Sequence, residues 1–166
     1  MTTPRRLIIG LLVLAALILV PEARAAIPLE DVASTLVGYS VTVECFPPDG
    51  IIGGWVVLTE PTVIHLDGEL CGALNNVLQP GPRTAQWLRT APGYQMVGSA
   101  IQILTHEAMH LRLLSADEGH VECVAVRNVW QSVRLLPLVP QIRKLVYIAA
   151  VQTHSGIGIP AYRTEC

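Results

Sequence analysis

The segment Leu104–Cys123, LTHEAMHLRLLSADEGHVEC, holds three of the five histidines and three of the nine glutamates in a 166-residue chain that is 51% hydrophobic and only 14% charged. Charges gathered in one place in so apolar a chain must be solvated or must compensate one another, because an unpaired buried charge is strongly unfavourable. Any fold of this chain has to give that segment a site. Within it, HEAMH falls inside a run from Tyr94 to about Leu114 whose apolar residues Val97, Ile101, Leu104, Ala108 and Leu111 recur at helical spacing, with neither proline nor glycine after Gly98. On a helix, His106 and His110 project from one face a turn apart and can share one divalent cation. Glu107 lies at the side of that face, within reach of a water on the metal without binding the metal itself.

The rest of the chain divides at its prolines and glycines, with no internal repeat and no low-complexity run. YSVTVECF and GGWVVLTEPTVIHL, rich in β-branched and aromatic residues and bounded by Pro47-Pro48-Asp49-Gly50 and Asp67-Gly68, read as strands joined by turns. ELCGALNNVL fits a strand or a short helix, and QPGPRTAQWLRTAPG reads as loop around one helical turn. After a break at Ser115-Ala116-Asp117, a second helix is expected from about Asp117 to Leu135, stopped by Pro137, and a third from Pro140 to His154. The expected class is α+β: a small sheet in the N-terminal half followed by three helices, with HExxH on the first long one.

The chain opens with Arg5-Arg6, an apolar run of 14 residues from Leu7 to Val20, and Ala23-Arg24-Ala25. That order of basic, apolar and small-x-small segments predicts a signal peptide over residues 1–25, cleaved after Ala25. The run falls short of the roughly 20 residues a membrane-spanning helix needs, so no stable membrane anchor is expected after cleavage. Residues 26–166 then form a single domain of ordinary size. The expected location is secreted or at the cell envelope. Four cysteines, Cys45, Cys71, Cys123 and Cys166, lie in this part, and an even number in an exported chain predicts disulfides. Three pairings are conceivable; Cys45 with Cys71 and Cys123 with Cys166 are preferred, the second tying the C-terminal tail to the second helix. No C-x-x-C spacing points to a zinc ribbon or a redox site. With scattered Arg and Lys, few aromatic residues and a net charge of -2, the chain has no basic stripe for nucleic acid.

A third metal ligand must come from SADEGHVEC, which offers Glu118, His120 and Glu122. Here, from Ile101 to Trp130, the chain resembles the gluzincin metallopeptidases, in which the H-E-x-x-H helix is followed by a helix carrying a glutamate ligand and, one turn on, an acidic residue that orients a ligand histidine. The resemblance implies a zincin-like fold, Zn2+ held by His106, His110 and Glu118, Glu107 as general base, and Glu122 behind a ligand histidine. Two departures mark this chain: Glu122 stands where Asp is more usual, and the link between the helices is very short, as in small exported gluzincin-like domains. His120 lies ten residues beyond His110, too far for the metzincin pattern. Cys71 in GELCGAL faintly matches peptide deformylases, but export and disulfide pairing suit it better. A local competitor is the capping box Ser115-x-x-Glu118, which would turn Glu118 back to the backbone and leave Glu122 to the metal. His65 suits a solvated strand face or a cleft wall, His154 suits a helix C-terminus, and Tyr94, Tyr147 and Tyr162 are unranked candidates for an oxyanion-stabilising hydroxyl.

The sequence therefore leads us to expect an exported, disulfide-containing zinc metallohydrolase, a peptidase acting on a peptide or protein substrate. The alternative is a zinc-stabilised binding or scaffold domain at the cell envelope that hydrolyses nothing. A non-catalytic domain has no need of a carboxylate at Glu107.

Overall fold

The computed structural model describes residues 27–47 and 53–156, with side chains to residue 153. The leader expected over residues 1–25 lies outside the described residues, as do Tyr162, Cys166 and the side chain of His154. Among the described residues the class is mixed α+β, with more helix in the first half than expected. The order is α1 (Leu29–Val37), β1 (Thr42–Phe46), β2 (Gly54–Val56), β3 (Val63–Asp67), α2 (Gly68–Leu78), α3 (Thr84–Trp87), α4 (Ala91–Leu113), α5 (Glu118–Leu135) and α6 (Pro140–Gly156).

Helix α1 was not expected, yet Leu29, Val32, Ala33, Leu36 and Val37 recur at helical spacing and are all buried. It stops at Gly38, whose φ of 96° closes the helix in a left-handed turn. ELCGALNNVL resolves as helix α2. Asp67 caps it by accepting from the Glu69 N–H at 2.8 Å, and Cys71, Leu74, Val77 and Leu78 face the core.

The three strands form one sheet in the order β1-β3-β2. β1 runs parallel to β3, from Thr42 opposite Val63 to Phe46 opposite Asp67, and β2 runs antiparallel to it, with Gly54 opposite Leu66. In β3, Ile64 and Leu66 are buried while Val63 and His65 face outward, the alternation of a half-covered sheet. A Cys45–Cys71 disulfide ties β1 to α2. Closing a loop with a sequence separation of 26 stabilises the fold by about 3 to 4 kcal/mol in the chain-entropy picture. The bond implies an oxidising compartment. No helix of the described residues is long and apolar enough to cross a membrane.

Helix α4 is the axis of the molecule, packed against α1, α2, α5, α6, β2 and β3. It starts earlier than expected, at Ala91, with Thr90 capping by accepting from the Gly93 N–H. From Ala100 to Leu111 every residue but Ile103 is buried. A helix enclosed on all sides has no solvated face, so Gln102, Thr105, His106, Glu107 and His110 must all find partners inside. Thr105 does so locally, donating to the Ile101 carbonyl at 2.6 Å.

α4 and α6 approach each other closely at Gly98. A methyl group there would lie 2.6 Å from Ala149 Cβ and 2.8 Å from the Ala150 nitrogen of α6. Gly98→Ala should therefore lower stability by about 1–3 kcal/mol through overpacking, even though alanine favours a helix by about 1 kcal/mol. Thermal melts check this, and an unchanged or higher midpoint would mean that α6 has room to yield.

Candidate metal centre

The site is built on the last two turns of α4 and the first of α5. His106 and His110, four residues apart, bring their Nε2 atoms to 3.0 Å. The helix then stops at Leu114, which takes the left-handed conformation with φ 48° and ψ 45°, and the Ser115 N–H closes back on the His110 carbonyl at 3.2 Å. Glycine is usual at such a turn. Three residues later α5 begins, capped by Asp117, whose carboxylate accepts from the His120 N–H at 3.1 Å. Ser115 Oγ accepts from the Asp117 N–H, so the local capping is done by Ser115 and Asp117 without Glu118. The Glu118 carboxylate turns instead to the imidazoles, with Oε2 3.1 Å from His106 Nε2 and 3.3 Å from His110 Nε2.

The three edges, 3.0, 3.1 and 3.3 Å, fit one tetrahedral ion. Ligands held at 2.0–2.1 Å in tetrahedral geometry lie about 3.3 Å apart. The protonation pattern fits as well. The Ser115 carbonyl sits 2.6 Å from His110 Nδ1 and can only accept, so Nδ1 carries the proton and Nε2 of the neutral ring a lone pair. His106 Nδ1 lies 2.5 Å from Glu122 Oε2, and Gln102 Nε2 donates to Glu122 Oε1 at 3.1 Å. When His106 is neutral with its proton on Nδ1 toward Glu122, both inward nitrogens and the Glu118 oxygen are electron-rich atoms turned on one another. A divalent cation taking nitrogen and oxygen ligands resolves that repulsion, and zinc is suited to this donor set. His106, His110 and Glu118 form a group that could hold a metal ion.

Electrostatics around the group follow from its burial. Burial disfavours charged His106, but its bond to Glu122 and the charges of Glu107, Glu122 and Glu118 outweigh this and raise its pKa. Glu107 is 7% exposed, and burial pushes its carboxyl up to about 7; His106 draws it down, while Glu118 and Glu122 raise it further. A cavity of about 200 Å3 opens over His106, Glu107, His110 and Glu118. Its opposite wall is Gly54, Trp55, Val56 and Leu58 from β2 and the turn after it, with Ala116. β2 comes this close because Gly54 has no side chain: a methyl there would meet Ile103 Cγ2 at 3.0 Å and Glu107 Cγ at 3.1 Å.

Neither family models, nor curated proteins, nor solved structures match this chain. Its site stands on its own geometry.

The other residues singled out in the sequence lie apart from the cluster. His120 is exposed on α5. His65 stacks on Trp55, with ring centroids 4.7 Å apart, and lies 3.4 Å from Glu44, so it backs the cavity wall without lining the cavity. Tyr94 packs against the core and Tyr147 packs there too, edge-on to Trp130; neither lines the cavity. Cys123 is disulfide-bonded, and its expected pairing with Cys166 lies outside the described residues. Sequence reasoning missed Gln102, the Ser115 carbonyl and the β2 wall. Only Gln102 left a signal: it is a lone polar residue in the apolar stretch AIQIL, one turn before His106.

The Glu107 shift sets the pH behaviour of metal-free protein. Below about pH 4.5 the carboxyl is protonated in both folded and unfolded chains; between 4.5 and about 7 the unfolded chain releases the proton and the folded one keeps it. Stability is therefore lost as pH rises through that window, with His106 acting in the same direction at higher pH. Chelator-treated Glu107→Gln should be more stable than chelator-treated parent at pH 8, by on the order of 2–3 kcal/mol, and closely matched at pH 4.5. Parallel stability curves for the two would contradict this assignment.

Proposed function

We propose that this chain is an exported zinc metallohydrolase, a small gluzincin-like peptidase of zincin-like fold. The observation that carries the reading is the position of Glu107: it shares the cavity with His106, His110 and Glu118 yet stands outside the ligand triangle. A structural zinc site has no use for a buried carboxylate at that place, and burying one is costly. His106, His110 and Glu118 would hold the ion, and the cavity opens over the same three residues. Zinc bound there would supply Lewis acidity, polarising a peptide carbonyl and bringing the pKa of water toward 7.

The chain's own groups divide the remaining work. Glu107 takes a proton from the attacking water and returns it to the leaving amine, both transfers open to a carboxylate that lines the cavity beside the ligand group. Glu122 and the Ser115 carbonyl hold the Nδ1 protons of the two histidines, which turns both Nε2 atoms inward, where they would hold the ion. Trp55, Val56 and Leu58 form an apolar wall against which a peptide substrate can lie and water is excluded. The second reading, a zinc-stabilised binding or scaffold domain, is favoured by the small size of the cavity and by the lack of a tyrosine hydroxyl at it among the described residues.

Metal analysis followed by digestion of a broad peptide library separates the two. The parent should bind one equivalent of zinc and cleave, while Glu107→Gln binds zinc and cleaves nothing. Zinc binding by a parent inert over the whole library would favour the scaffold. Glu118→Gln should empty the site, whereas Glu122→Gln should weaken zinc about 10- to 100-fold, as expected for a residue acting through a ligand. The reverse ranking would make Glu122 the ligand.

A further inference from the structure

We propose that Gln102 is a positioning residue for the metal centre, acting through Glu122 on His106. The proposal rests on the reading of His106, His110 and Glu118 as metal ligands and extends it by one further residue on α4. Gln102 is 1% exposed, one helical turn before His106 and on the same side of the helix. Its Nε2 donates to Glu122 Oε1 at 3.1 Å, while Glu122 Oε2 meets His106 Nδ1. The amide must point its nitrogen this way, because its oxygen would repel the carboxylate.

Gln102 Oε1 is buried and finds no hydrogen-bond partner among the described residues. For stability alone the net gain is small, because the hydrogen bond to a charged group is set against the desolvation cost of the orphaned carbonyl. Methionine, nearly the same shape, would fill the same space without an orphaned carbonyl, at the cost of the donor to Glu122 Oε1. What the amide provides and methionine cannot is a fixed direction for the Glu122 carboxylate. That carboxylate sets the tautomer and ring plane of His106, and with them the aim of Nε2 at the metal. Three side chains on two helices thus form one line: Gln102 holds Glu122, Glu122 holds His106, and His106 turns its Nε2 toward His110 and Glu118.

Cobalt(II) affinity, measured by competition with a chromophoric chelator, tests the line on Gln102→Met, Glu122→Gln and the double variant, with metal-free melting temperatures alongside. The expected result is that Gln102→Met folds, melts at or below the parent without metal because Glu122 Oε1 loses its donor, and binds cobalt about tenfold more weakly. In the Glu122→Gln background the same change should cost less than about twofold, because the residue through which Gln102 acts is already lost. Parent-like cobalt affinity in Gln102→Met, or the same tenfold loss in both backgrounds, would overturn the proposal. Should the methionine variant not fold, Gln102→Leu removes the same donor and is read by the same cycle. A parent that binds no cobalt would overturn the metal-centre reading itself, a result distinct from either.

Discussion

Three electron-rich atoms, His106 Nε2, His110 Nε2 and Glu118 Oε2, are held within 3.0 to 3.3 Å of one another, and the surrounding structure is arranged to keep them there. Left to themselves such atoms repel. Each is fixed from behind: His106 by Glu122, His110 by the Ser115 carbonyl, Glu118 by the start of a helix capped at Asp117. The chain thus commits buried hydrogen-bonding capacity to an arrangement whose stability depends on a positive charge at its centre, whether a metal ion or a proton on His106.

The fold supplies the burial that gives these contacts their strength. α4 passes through the middle of the molecule, so its polar residues meet side chains instead of water, and the local dielectric is low. The β-sheet contributes a wall: Gly54 lets β2 approach Glu107 closely enough to desolvate it, and the Cys45–Cys71 bridge ties the same sheet to α2. Core packing and site electrostatics thus have one origin, the enclosure of a single helix.

How much of this is legible in the sequence varies by element. The three long helices and the strands were readable from apolar spacing and from the turn residues that bound them. α1 carried the same signal in Leu29, Val32, Leu36 and Val37 but is only nine residues long. HEAMH and the two glutamates of α5 pointed to the site because their chemistry is local. The β2 wall was not readable, since it depends on how a distant strand docks on α4. The Ser115 carbonyl was hidden for another reason: it is a backbone group, and no side-chain pattern marks it. Gln102 stood out only as a polar residue among apolar ones, a mark that gives burial without giving purpose.

The turn at Leu114 has a further consequence. By reversing the chain within a few residues, it brings together three candidate ligands that all lie in the stretch from His106 to Glu118. A site this local needs little loop closure to assemble, so its formation is a low-contact-order event that can precede docking of the sheet. It also means that the unfolded chain keeps its ligands close together. A metal ion taken up by these residues would then have some affinity for the unfolded as well as the folded chain, and the stabilisation it conferred would fall below what its native Kd alone would give. An ion held by neighbours in sequence favours the helical hairpin that carries it before it favours the whole domain.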